Sequence, residues 1–117
     1  MKDKIKIYQK PTCSKCRETL GILRDRGADF ESINYYETPL DAEELRKLIG
    51  KLGLTPRDLL RKGEQVYRDL NLSKRELSDD ELISLMVKHP DLIQRPIVVR
   101  GNKAVLGRPP GNVEDLL

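Results

Sequence analysis

KIKIYQKPTCSKCRETLGILRDRG, residues 4–27, runs a strand signature, a proline-broken loop and a helix signature in succession, with two cysteines at the junction. KIKIY alternates charged and apolar positions with the period of two that a half-buried strand shows, and the proline of QKPT then ends the ladder because it has no N–H to donate. From Ser14 the spacing becomes helical, with Cys16, Leu20 and Leu23 three or four positions apart. The basic run RDR and Gly27 supply the stop. FESINYY, residues 30–36, predicts a second strand. Strand, helix and strand at this spacing predict a parallel pair joined by a right-handed crossover.

Outward from that unit, DAEELRKLIGKLG (residues 41–53) sets Leu45, Leu48, Ile49 and Leu52 on one face, with early acids, late lysines and Gly53 at its end. TPRDLLRKG (residues 55–63) opens a short helix with Thr55 as cap and Pro56 in the first turn, and a further turn is expected around Val66 to Leu70. SDDELISLMVKHP (residues 78–90) repeats the formula, with Ser78 capping and Pro90 beyond the end. PIVVR and KAVLG flank Gly101 and Asn102 as a hairpin would, and GNVEDLL (residues 111–117) predicts a last helix. The order describes an α/β chain: a four-stranded mixed sheet covered by helices, resembling the thioredoxin-like (glutaredoxin-like) order. The expected organisation is a single domain over residues 1–117, with residues 40–93 as a mostly helical insertion.

Composition narrows the function. The chain has 117 residues, enough for one core, and is 35% charged and 38% apolar with no tryptophan. Its 22 Lys and Arg against 19 Asp and Glu leave +3, too little and too dispersed for nucleic acid but compatible with anionic ligands. MKDKIKIYQK lacks a signal-peptide core, and no run approaches the roughly 18 apolar residues of a membrane span, so a cytoplasmic, membrane-free protein is expected. In a reducing compartment a close cysteine pair is reactive or metal-bound more readily than it is a structural staple.

The first turn of a helix offers unpaired N–H groups and the positive end of the macrodipole, both of which favour a thiolate. Cys13 occupies that place, and Lys10, Lys15 and Arg17 add positive charge nearby, so a depressed pKa is expected. Cys16, one turn inward, is a candidate resolving thiol. Two cysteines and one distant histidine, His89, fall short of the four ligands of a zinc site, so no metal is expected. Two inert buried thiols remain the plain alternative.

Together with PTCSKC, the segments LLRKGEQVY (59–67), DDELISLMVKHPDLIQRPIVV (79–99) and LGRPP (106–110) resemble the glutaredoxin-like arsenate reductases of the ArsC family, over almost the whole chain. The resemblance implies a thioredoxin-like fold, Cys13 as nucleophile, Arg61, Arg95 and Arg108 around arsenate or a similar oxyanion, and Pro96 as the cis-proline. No bound cofactor is implied. The implied reductant is an external thiol, thioredoxin or glutathione with glutaredoxin; separately from the resemblance, a monomer is expected. Guanidinium forks suit such oxygens because they stay charged and bind in bidentate geometry. The chain departs from the best-known pattern in three ways: Gln9 stands where glutaredoxin-linked members carry His, Cys16 where they carry Ser, and it ends at Leu117 without their longer tail. The same family includes Spx-type redox regulators, and a general thiol–disulfide oxidoreductase is the other alternative.

Overall fold

The structure, a computed structural model, describes residues 4–117. They form two compact units, one of residues 4–39 and 95–117, the other of residues 40–94.

In the first unit, β1 (Ile5–Gln9), α1 (Ser14–Asp25) and β2 (Phe30–Asn34) make the expected crossover, and β3 (Ile97–Arg100) and β4 (Lys103–Leu106) the expected hairpin. The sheet order is β2-β1-β3-β4. β1 pairs parallel with β2 from Ile5↔Phe30 to Gln9↔Asn34, and antiparallel with β3, which pairs antiparallel with β4. Alternation along β1 buries Ile5, Ile7 and Gln9 and exposes Lys4 and Lys6. Ile5, Ile7 and Val98 of the sheet pack with Leu23 of α1 and with Val113 and Leu116. This cluster fixes α1 against β1, and therefore fixes the loop between them.

Turn chemistry sets the boundaries. α1 ends where Gly27 takes φ +63° and Ala28 N–H reaches back to the Leu23 carbonyl at 3.0 Å. β2 stops at Asn34, two residues short of the expected end. The Asn34 side-chain oxygen accepts from Tyr36 N–H at 3.0 Å, and its carbonyl accepts from Thr38 N–H at 2.9 Å, which folds residues 34–38 into a turn. The expected last helix is present as a 3₁₀ helix, Pro110–Leu116, with the Asn112 amide bonded to the carbonyls of Leu106 and Arg108 at 3.0 and 3.2 Å.

The second unit is helical: α2 (Ala42–Leu52), a 3₁₀ turn at Arg57–Leu59, α3 (Gln65–Asp69), α4 (Asp79–Lys88) and a 3₁₀ turn at Pro90–Leu92. Thr55 Oγ1 accepts from Asp58 N–H at 3.3 Å, the expected cap at this start. Leu45, Leu48 and Ile49 of α2 and Leu82, Ile83 and Met86 of α4 are buried, and the two helices pack together. No helix among the described residues is long and apolar enough to cross a membrane.

Candidate active site

The cysteine loop leaves β1 at Gln9, whose buried amide donates from Nε2 to Ser32 Oγ at 2.9 Å. Cys13 N–H then donates to the Lys10 carbonyl at 2.9 Å, turning the chain into α1. Cys13 is the N-cap residue itself, at φ −83° and ψ 122°, and its sulfur accepts from Cys16 N–H at 3.4 Å. Sulfur here plays the part that a Ser or Asp oxygen plays elsewhere. No acid stands in the first turn. Cys13 is 9% exposed and Cys16 fully buried, and both are free thiols.

Burial pushes the Cys13 thiol up, but hydrogen bonds from the Cys16 side chain and backbone, with the positive charges of Arg95 and Arg108, bring it below the ordinary thiol value. The cations acting on the sulfur thus come from the far end of the chain. Of the expected local ones, Lys15 is paired with Glu18 at 3.4 Å and Lys10 lies over the Tyr36 ring. Cys16 moves the other way: burial, its hydrogen bond to Cys13 and the charge there push it up to about 12. The pair is asymmetric, one sulfur poised to ionise and one held protonated.

Two arginines reach this sulfur. Arg108 donates from Nε to the Arg95 carbonyl at 2.7 Å, which aims its Nη2 to within 3.9 Å of Cys13 Sγ. Arg95, only 6% exposed, keeps its charge although burial disfavours it, because Tyr35, Tyr36 and Cys13 lie around it. Its Nη1 donates to the Tyr36 hydroxyl at 3.5 Å. The Arg95–Pro96 and Arg108–Pro109 peptide bonds are both cis. Gly107 holds the two arginine segments close: a Cβ there would lie 2.7 Å from both Pro96 Cγ and Thr19 Oγ1 of α1.

Arg61 belongs to the helical unit. Its Nε pairs with Glu64 Oε1 at 3.2 Å, and its N–H donates to the Leu92 carbonyl at 2.7 Å. The sequence places Tyr35 and Tyr36 together at the end of the FESINYY strand and marks neither them nor Gly107 for the site; the side chain of Asn34, a frequent turn-former, is the available signal that the chain bends there. Among the described residues no group of three or more His, Cys, Asp or Glu side chains is arranged to hold a metal ion.

A thioredoxin-like sheet thus presents an N-capping thiol with one buried guanidinium group, Arg95, and one half-buried, Arg108, beside it. Residues 8–116 match the model of the ArsC family, and the chain belongs to that family. It is 46% identical over 118 residues to the uncharacterised Escherichia coli (strain K12) protein YfgD, covering 100% of this chain and 99% of that one. An arsenate reductase of Yersinia enterocolitica is 45% identical over 113 residues, covering 97% of this chain and 80% of the relative. Among solved structures, an arsenate reductase from Vibrio cholerae superimposes with a TM-score of 0.93 at 45% identity, covering 98% of each chain.

Proposed function

We propose that the chain is an arsenate reductase in which Cys13 is the nucleophile, Cys16 the resolving thiol, and Arg95, Arg108 and Arg61 the oxyanion-binding groups. The observation that carries this reading is the presence of two guanidinium groups, Arg95 and Arg108, acting on the same N-capping sulfur. A thiol that only cycled through a disulfide would need neither. The role of Arg61 rests on the family resemblance of its segment alone.

The Cys13 thiolate attacks arsenic(V) of the bound arsenate anion; an S–As bond forms, an As–O bond breaks, and the departing oxygen leaves as water after taking up protons. Arg95 and Arg108 balance the oxygen charge. A second thiolate then attacks Cys13 Sγ, forming an S–S bond while the S–As electron pair returns to arsenic. Two thiols are oxidised, and arsenic(V) leaves as arsenite. Cys16 is suited to this second step by its coupling to Cys13. Its N–H already lies against Cys13 Sγ at 3.4 Å, so the second sulfur is held one helical turn from the first. The resulting disulfide is returned to thiols by an external reductant, thioredoxin or glutathione with glutaredoxin.

Arsenate-dependent thiol consumption, compared between wild type and Cys13→Ser, tests the reading. Wild type is expected to turn over, and Cys13→Ser to fall to background, at least about a 10³-fold loss. The pH midpoint of Cys13 alkylation by iodoacetamide is expected below that of free cysteine, and a midpoint at or above it would count against the nucleophile. Cys16→Ser with thioredoxin as sole donor separates the two resolving routes: background turnover supports Cys16, full turnover removes it. Thiol consumption that ignores arsenate would favour a general thiol–disulfide oxidoreductase instead.

A further inference from the structure

Tyr36 is bound to three parts of the first unit at once. Its N–H is fixed by Asn34 at 3.0 Å, so the turn that ends β2 sets where the ring begins. Its ring centroid lies 5.0 Å from that of Tyr35, at 35°, and Tyr35 is 1% exposed and therefore rigidly held. Lys10 of the cysteine loop places Nζ 4.8 Å from the centre of the Tyr36 ring. The hydroxyl at the far end accepts from Arg95 Nη1 at 3.5 Å.

Two cations, Lys10 and Arg95, therefore approach the cysteine loop with one aromatic side chain joined to both. A tyrosine suits that place, because its π-face attracts an ammonium while its oxygen accepts from a guanidinium N–H. An arginine left to itself samples many rotamers; burial restricts those of Arg95, and the contact at one Nη favours a particular one before any anion arrives. The backbone of Arg95 is separately committed through its carbonyl, which holds Arg108 Nε at 2.7 Å. The two guanidinium groups thus have different supports: Arg108 hangs on the main chain, Arg95 on tyrosine side chains, with the Tyr36 hydroxyl at one Nη and Tyr35 also beside it.

We infer that Tyr36 is a positioning residue of the oxyanion site, its hydroxyl holding the Arg95 fork in the orientation that receives a tetrahedral anion beside Cys13. The inference deepens the arsenate reading, on which the identity of the anion rests, and names a residue that acts through Arg95. Its consequence is selective. Loss of the hydroxyl weakens anion binding through Arg95 and leaves the contribution of Arg108 in place.

Tyr36→Phe tests this, since phenylalanine keeps the ring under Lys10 and against Tyr35 and removes only the oxygen. The expected result is a rise of about five- to tenfold in KM for arsenate with kcat within about twofold, as for a lost hydrogen bond to a charged group. Protection of Cys13 from iodoacetamide by inorganic phosphate, a tetrahedral anion that cannot be reduced, should weaken by the same factor. The melting temperature should not move. In an Arg95→Gln background, or Arg95→Lys should the first not fold, the same substitution is expected to have no further effect, whereas in Arg108→Gln it keeps its full size. Equal effects in both backgrounds, unchanged phosphate protection in Tyr36→Phe, or no phosphate protection in wild type would overturn the inference. Absence of arsenate turnover alongside phosphate protection that Tyr36→Phe weakens would instead overturn the choice of arsenate and leave the role of Tyr36 standing.

Discussion

The beginnings of α4 and α1 solve the same problem by opposite means. At α4, Ser78 Oγ accepts from Glu81 N–H at 3.2 Å while Glu81 Oε1 accepts from Ser78 N–H at 3.3 Å, and Asp79, Asp80 and Glu81 put three acids in the first turn. Every partner lies within three residues, and the negative charges complement the positive end of the helix. α2 follows the same plan, with Asp41 capping Glu44 N–H at 2.8 Å and Glu43 and Glu44 behind it. α1 has no acid there; its cap is a thiol sulfur, and the groups that charge-balance that sulfur are 82 and 95 positions away in sequence, at Arg95 and Arg108. A helix start built for stability is locally complete. The start of α1 leaves its positive field open and draws its partners from far along the chain.

Breaking the imported part has the larger effect. Gly107→Ala forces a Cβ to within 2.7 Å of Pro96 Cγ and Thr19 Oγ1, so the segment bearing Arg108 must shift relative to the one bearing Arg95 and to α1. The expected cost is about 1–3 kcal/mol in chemical denaturation, together with at least a roughly tenfold fall in arsenate reduction. Normal stability and turnover in this variant would show that the close approach is not what holds the arginines in place. Breaking the local part should be quieter. Ser78→Ala is expected to lower stability by about 1 kcal/mol, with the rate and pH profile of Cys13 alkylation unchanged; a change in either would mean that the two helix starts are not independent.

The same contrast governs what could be read from the sequence. Ser78 with Glu81, Gly53 after α2 and the Gly101–Asn102 turn are local signals, and each element they bound is present. Cys13 at the head of α1 is legible for the same reason. Its electrostatic surroundings are not. Nearness in sequence points to Lys10, Lys15 and Arg17 as the charges that lower its pKa, yet Lys15 turns to Glu18 and the lowering charges are Arg95 and Arg108. No periodicity encodes a contact across 95 positions; only the likeness of QRPIVV and LGRPP to a family points there. Tyr36 escapes because FESINYY reads as one uninterrupted strand, whereas the side chain of Asn34 competes for the backbone and bends it.

The smallest expected effect is the most direct test of the contrast, because it converts one kind of helix start into the other. Ser14 is exposed at the first position of α1, so Ser14→Glu introduces the acid that α2 and α4 have without disturbing a buried group. If Cys13 were neutral, the new charge would stabilise the helix by roughly 0.3–1 kcal/mol. Against a thiolate, the two negative charges repel, and the gain should vanish. A thiol whose folded pKa is depressed contributes stability that is present above its unfolded pKa and is lost as pH falls through the folded one. The introduced carboxylate makes that depression smaller. Ser14→Glu should therefore be more stable than wild type where Cys13 is protonated, lose the advantage as pH rises through the folded thiol pKa, and shift the alkylation midpoint upward by about half a unit to one unit. Paired pH series of melting temperature and alkylation rate measure both quantities on one sample. A stability gain that persists at high pH with an unmoved midpoint would mean that the field at the head of α1 does not reach the sulfur, and that Arg95 and Arg108 alone keep it ionised.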